Sequence, residues 1–223
     1  MDFNQADIIP LMAADNTSHL KRAKRADAIA NRELILATAQ RLFAERGIAH
    51  VCMAAIAECA GVGKGTLYRG FANKSELCLA LLDEDMRLFQ NQTLQMLRER
   101  HAQPALSRLD AFLNSLVYFV ERQALLLREV QLHGALQGEA TPGPDSPHRW
   151  LPWLRTTVGL LLKQAEQNGE ADNLDVPYLV DAILAPLSAD LFLYQRETCG
   201  FDLERISQGL RQLVLDGCRK RGS

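Results

Sequence analysis

The sequence predicts an all-α fold, a small three-helix head followed by a larger helical body, and three observations carry that prediction. Apolar residues recur at helical spacing along most of the chain, no alternating strand-like stretch of useful length occurs, and basic charge is concentrated in one short region. Residues 21–75 hold ten basic side chains against four acidic ones (+6), whereas the first twenty residues carry −3 and residues 76–223 carry −5. A basic head on an acidic body is the distribution expected where only the head meets a polyanion. At 223 residues, 48% hydrophobic and 23% charged, with a net charge of −2, the chain has ordinary globular composition and length enough to bury a sizeable core. A metal- or disulfide-stapled miniprotein is excluded.

Residues 1–27 are polar and mixed and end in the basic run Lys21-Arg22-Ala23-Lys24-Arg25, which predicts a flexible N-terminal arm. That run reads either as a solvated face or as an arm reaching DNA phosphates. Ile29, Leu34, Ile35, Ala39, Leu42 and Phe43 then predict a helix over about 29–46, stopped by Gly47. A short helix from Met53 to Ala60, a Gly61-Val62-Gly63 turn and a two-turn helix from Lys64 to Gly70 together predict a helix-turn-helix. Asn73-Lys74-Ser75-Glu76 forms a capping box that starts a long helix over 74–99, joining head to body.

In the body, Pro104 opens a helix over 105–121 and a second is expected from Ala124 to Leu136. The Gly- and Pro-rich stretch from Gly134 to His148 predicts an extended loop, and a helix over 149–168 ends at Gly169. A helix from Val176 to Cys199 should be kinked by Pro186, and Asp202 caps a last one over 203–218. The expected division is therefore an arm over 1–27, a helix-turn-helix DNA-binding domain over 28–75 and a body over 76–223.

The residues of the second short helix point to backbone clamping on a nucleic acid. Lys64, Thr66, Tyr68, Arg69 and Lys74 offer donors, Gly65 lets the helix start approach another surface closely, and Lys64 and Lys74 sit near helix N-termini that favour phosphate. Gly61 permits the turn, Val62 fills it, and Leu67 and Phe71 are expected core. The string GVGKGT lacks both the spacing and the preceding strand of a nucleotide-binding loop.

Over about residues 29–82 the chain resembles the N-terminal domain of TetR-family transcriptional repressors. Their usual string is T-x-x-x-I-A-x-x-A-G-V-S-x-G-x-[LI]-Y-x-[HY]-F-x-x-K-x-x-L. Here it is met by Ile56, Ala57, Ala60, Gly61, Val62, Gly65, Leu67, Tyr68, Phe71, Lys74 and Leu77. Met53 stands in place of a phosphate-touching threonine, Gly63 in place of a serine, and Gly70 in place of an aromatic or histidine that contacts DNA. The resemblance implies a homodimeric, ligand-responsive regulator that binds double-stranded DNA at a palindromic operator. The last two long helices would form the dimer interface, and a body pocket would take a small-molecule effector whose binding moves the helix over 74–99 and releases DNA. For that pocket the sequence offers Phe112, Leu116, Phe119, Arg128, Gln131, Trp150 and Trp153, with Tyr118, Leu127, Glu129, His133 and Leu154 nearby, a composition suited to a mostly apolar organic molecule. The alternative is a helical ligand-sequestering or scaffold protein that has lost specific DNA readout, motivated by Met53 and Gly70.

Catalysis finds little support: the five histidines show no HxxxH or HExxH spacing and no serine sits in a nucleophile elbow. No cofactor or metal is expected, although His133 and His148 flank the loop with Glu129 one turn before. Cys52, Cys59, Cys78, Cys199 and Cys218 contain no CxxC pair, and a reducing cytoplasm is expected. With no basic n-region, a proline at position 10 and no run of 18 apolar residues, neither a signal segment nor a membrane span is expected.

Overall fold

The computed structural model describes residues 13–137 and 149–218, with residues 13–21, 23, 24 and 133–137 described by backbone alone. The described residues are helical and contain no strand. They divide into two compact units, Met1–Lys74 and Ser75–Ser223.

In the first unit, α1 (Ala13–Arg46) is followed by a 3-10 turn (Ile48–His50), α2 (Met53–Cys59) and α3 (Lys64–Gly70). The helix expected to start at about 29 therefore begins sixteen residues earlier, at Ala13, and takes in the second half of the expected arm. Residues 1–12, the first half, lie outside the described residues. The buried side of α1 is Ile35, Thr38, Ala39, Leu42 and Phe43, an i, i+3, i+4, i+7, i+8 stripe. Ile29 and Leu34, counted in the periodicity that predicted the helix, fall out of phase with this stripe and are exposed. Gly47 ends the helix at φ 79°, a left-handed conformation that a Cβ penalises. α1, α2 and α3 pack on one another around Ile35, Leu42, Ile56 and Leu67, each at most 1% exposed.

The second unit is organised on α5 (Ala105–Gln137), which packs against α6 (Leu151–Gln167), α8 (Ala189–Leu193) and α9 (Leu203–Cys218). α4 (Lys74–Glu99) precedes it and contributes Met86 and Phe89 to the body core. The two helices expected over 105–121 and 124–136 are one. The polar Glu121-Arg122-Gln123 run between them is accommodated inside it, Gln123 Nε2 donating to Asp85 Oδ2 at 2.9 Å and Glu121 receiving Arg196. Residues 134–136, where the expected helix and the expected loop overlapped, and Gln137 belong to this helix, and residues 138–148 lie outside the described residues.

The N-terminus of α5 is capped by a residue 65 positions away. Glu170 Oε1 accepts from the Ala105 amide at 2.7 Å and Oε2 from the Leu106 amide at 2.9 Å, satisfying two of the orphan donors of a helix start with a carboxylate. Glu170 is placed there by the chain reversal after α6, where Gly169 takes φ 71°. Burial works to raise the Glu170 pKa, but the Leu106 and Ala105 amides, the Asn168 amide and Arg108 together outweigh it, and the carboxyl titrates below its ordinary value.

The helix expected over 176–199 is broken rather than kinked. α7 (Val176–Leu184) passes through a 3-10 turn (Ala185–Leu187) to Ser188, which is extended at φ −60°, ψ 144°, before α8 begins and ends in a π turn (Tyr194–Thr198). The two halves meet at 49°. Arg196 fixes the second half, its guanidinium bidentate on Glu121 at 2.9 and 3.0 Å and donating to the Phe201 carbonyl at 2.6 Å. α9 is tied to α5 by Arg211 on both Asp110 oxygens at 2.5 and 2.7 Å and by the buried Ser207 donating to Asn114 Oδ1 at 2.9 Å. Among the described residues, no single helix is long and apolar enough to cross a membrane.

Candidate functional site

Two separate features, one in each unit, answer to the expectations for function. In the first unit, the turn between α2 and α3 places Gly61 at φ 66°, and Gly63 caps α3 in an extended conformation. α3 then turns Leu67 wholly inward, which leaves Lys64, Gly65, Tyr68 and Arg69 exposed and Thr66 half-buried along the other side. Tyr68 is 51% exposed, a large aromatic surface for a residue whose neighbour Leu67 is in the core. A Cβ built on Gly65 would meet no atom of the chain within 4 Å, so packing within the chain does not demand glycine there.

Lys74, the sixth residue of the expected clamp, stands apart from this strip. Its Nζ donates to the Ile48 carbonyl at 3.0 Å, tying the start of α4 to the 3-10 turn. The departures from the usual family string also acquire places. Counted back four positions from Ile56, the threonine of the family string falls on Cys52 rather than on Met53: Cys52 is the N-cap of α2 and supplies no side-chain cap, and Met53 is buried in the first turn. Gly70 is the last residue of α3, and its carbonyl accepts from Arg32 Nη1 at 3.3 Å while the same guanidinium lies 4.4 Å from the centroid of the buried Phe71 ring. Arg32 thus holds the C-terminal end of a helix only seven residues long.

The second unit contains a cavity of about 310 Å³. α4 supplies Leu82 and Met86, α5 supplies Leu116, Phe119, Val120, Leu127 and Gln131, and Trp150, Leu151 and Leu154 close it from α6 and the residue before it. The remaining wall is Asp181 with Leu184, Ala185, Leu187, Ser188 and Ala189. Of the residues expected to meet a ligand, Leu116, Phe119, Gln131 and Trp150 line this space. Phe112 and Trp153 do not line it but back it: Phe119 stacks on Phe89 at 4.6 Å, and Trp153 meets Phe89 and Phe112 edge-on at 6.0 and 6.1 Å. Arg128 is not in the lining and pairs with Glu197 at 3.8 Å. The side chain of His133 and the whole of His148 lie outside the described residues, and no group of three metal-ligating side chains occurs among those described.

Sequence reading misses the wall formed by residues 184–189, because a single helix over 176–199, only kinked at Pro186 and assigned to the dimer interface, offers no such run to a cavity. A signal was present: Pro186 followed by Ser188 as N-cap and Asp190 in the next first turn spells a helix stop and restart. Much of the apolar stripe expected to face a partner is spent inside the chain, since Val180, Ile183, Leu184, Leu187, Phe192, Ile206, Leu210 and Val214 are buried. Tyr178, Leu191, Tyr194 and Leu213 stay exposed, Leu213 at 74%.

Residues 35–81 match the family model described as bacterial regulatory proteins, tetR family. The HTH-type transcriptional regulator SAB2452 of Staphylococcus aureus (strain bovine RF122 / ET3-1) is 41% identical over 78 residues, 35% of this chain and 42% of its own length. A counterpart from strain USA300 is 38% identical over the same span. The matched region therefore spans less than half the length of these curated relatives. Among solved structures, a TetR-family transcriptional regulator from Pectobacterium atrosepticum superposes with a TM-score of 0.63 at 22% identity, over 89% of this chain and 99% of its own. The fatty acid degradation regulator FadR of Bacillus halodurans gives 0.61 at 23% identity, over 85% and 97%. The fold is thus shared along both units, and the sequence likeness is concentrated in the head.

Proposed function

From a chain that carries a TetR-family helix-turn-helix head, we propose a ligand-responsive DNA-binding transcriptional regulator, a repressor acting as a homodimer on a palindromic operator. Its working division is a DNA-binding domain over 28–75 and a ligand-binding and dimerisation domain over 76–223. α3 enters the major groove, with Lys64, Thr66, Tyr68, Arg69 and the Gly65 backbone on phosphates and base edges and Lys74 on a flanking phosphate. The observation that carries this reading is the exposed polar strip of α3, held on a glycine turn by a fully buried Leu67.

The body cavity is the effector site, and a small, mostly apolar organic molecule entering it shifts the protein from its DNA-binding arrangement to one that releases the operator. Similar structures support small organic effectors: Thermus thermophilus FadR is in complex with lauroyl-CoA, and a transcriptional regulator from Saccharomonospora viridis with choline. The exposed Leu191, Tyr194 and Leu213 belong to the dimer face, and the protein works in the cytoplasm.

The test is selection of bound duplexes from a random DNA pool, followed by gel-shift titration of the winner. Enrichment of an inverted repeat, bound far more tightly than scrambled DNA and more weakly by Tyr68→Phe, is expected. A folded dimer that enriches no sequence would overturn the regulator reading in favour of a ligand-sequestering protein.

A further inference from the structure

The chemistry of the cavity wall says what kind of molecule it takes, an inference that rests on the effector-site reading above. Apart from Gln131, Asp181 and Ser188, the described lining is apolar. Asp181 and Ser188 are exposed and stand at the mouth, whereas Gln131 Oε1 is buried and has no hydrogen-bond partner. A buried acceptor left without a donor is costly, and a bound molecule bringing an O–H or N–H to it removes that cost.

No cation lines the cavity among the described residues, and Arg128, Arg149 and Arg155, which adjoin lining residues in sequence, are engaged with carboxylates. Arg149 is bound to Asp83 and to the Leu79 carbonyl, with its guanidinium 5.0 Å from the Trp150 ring centroid. Arg128 pairs with Glu197 at 3.8 Å, and Arg155 pairs with Asp181, the one carboxylate of the lining. An entering carboxylate or phosphate would leave water for apolar walls, with no counter-ion of its own. An entering ammonium would find Asp181 already neutralised by Arg155.

We propose that this cavity takes an uncharged, mostly apolar molecule carrying one hydroxyl or amide donor directed at Gln131, and that it rejects acids and amines of the same skeleton. Its volume of about 310 Å³ lies at the small end of ligand pockets, which suits a medium-chain alcohol or amide.

The experiment is a calorimetric titration of the full chain with 1-decanol, decanamide, decanoate and decylamine at neutral pH, each below its aggregation threshold. Fluorescence of Trp150 and Trp153 provides a second readout. The alcohol or the amide is expected to bind at least about tenfold more tightly than the acid or the amine. Gln131→Leu should weaken the alcohol several-fold without lowering the melting temperature, because it removes an unpartnered acceptor. Decanoate binding as tightly as decanol would overturn the proposal while leaving the effector site standing, and unchanged alcohol affinity in Gln131→Leu would overturn the role given to Gln131. No binding by any of the four would overturn the effector-site reading itself, together with this inference.

Discussion

Replacing Gly65 by alanine separates what the head needs to fold from what it needs to bind. The added methyl meets nothing of the chain within 4 Å, and Gly65 lies inside α3 outside the left-handed region. Alanine is favoured over glycine in a helix interior by about 0.5–1 kcal/mol. For a protein of this size that raises the melting midpoint by roughly 1–4 °C. On DNA the sign reverses. If Gly65 marks the closest approach of the backbone to phosphate, one methyl there is an overpacking of about 1–3 kcal/mol per head. Operator affinity should therefore fall at least tenfold, tenfold being about 1.4 kcal/mol. Circular dichroism melting and gel shift on one preparation of Gly65→Ala measure both quantities. A variant that melts higher and binds the operator as tightly as the parent would refute the docking of α3 proposed here.

Three further outcomes are expected. With Lys64, Arg69 and Lys74 on phosphates in each of two heads, the logarithm of operator affinity should fall with the logarithm of salt at a slope of about −5, and Lys64→Ala should flatten it by about 2; a slope unchanged in the variant places Lys64 off the phosphates. Arg32→Ala removes the hydrogen bond to the Gly70 carbonyl and the cover over Phe71, and should cost about 1–2 kcal/mol of head stability and weaken DNA binding, read by amide exchange in residues 64–71. Glu170→Gln should destabilise the body by about 1–2 kcal/mol at neutral pH, measured by urea unfolding. Because the folded pKa of Glu170 lies below the unfolded one, its contribution is complete above the ordinary value near 4.5 and is lost as pH falls through the folded pKa, so the gap between parent and Glu170→Gln should close in acid.

The head was legible in the sequence because its signals are local. Gly47 and Gly61 occupy positions that demand a left-handed backbone, and Leu67 alternates with exposed polar neighbours within seven residues. The body hid its main features because they depend on residues far apart. Nothing near Ala105 announces that Glu170 caps it, and Gln123 looks like a loop residue until Asp85 is beside it. Phe112, Phe119 and Trp153 share the partner Phe89, yet composition does not tell which rings face the cavity and which stand behind it. The start of α1 was misjudged for another reason: a polar, charged segment with no apolar stripe can still be helical, and hydrophobic periodicity does not register it.

The break at Ser188 also bears on how such a cavity changes over evolutionary time. A regular helix would present only about half of six consecutive residues to one side. The turn through Pro186 and Ser188 instead brings five of the six from Leu184 to Ala189 into the lining. One face of the cavity is thereby written in a single short run of the gene. A contiguous edit of a few codons could retune the shape and polarity of that face while α5 and its packing stay as they are, so ligand preference can drift quickly on a body whose architecture does not.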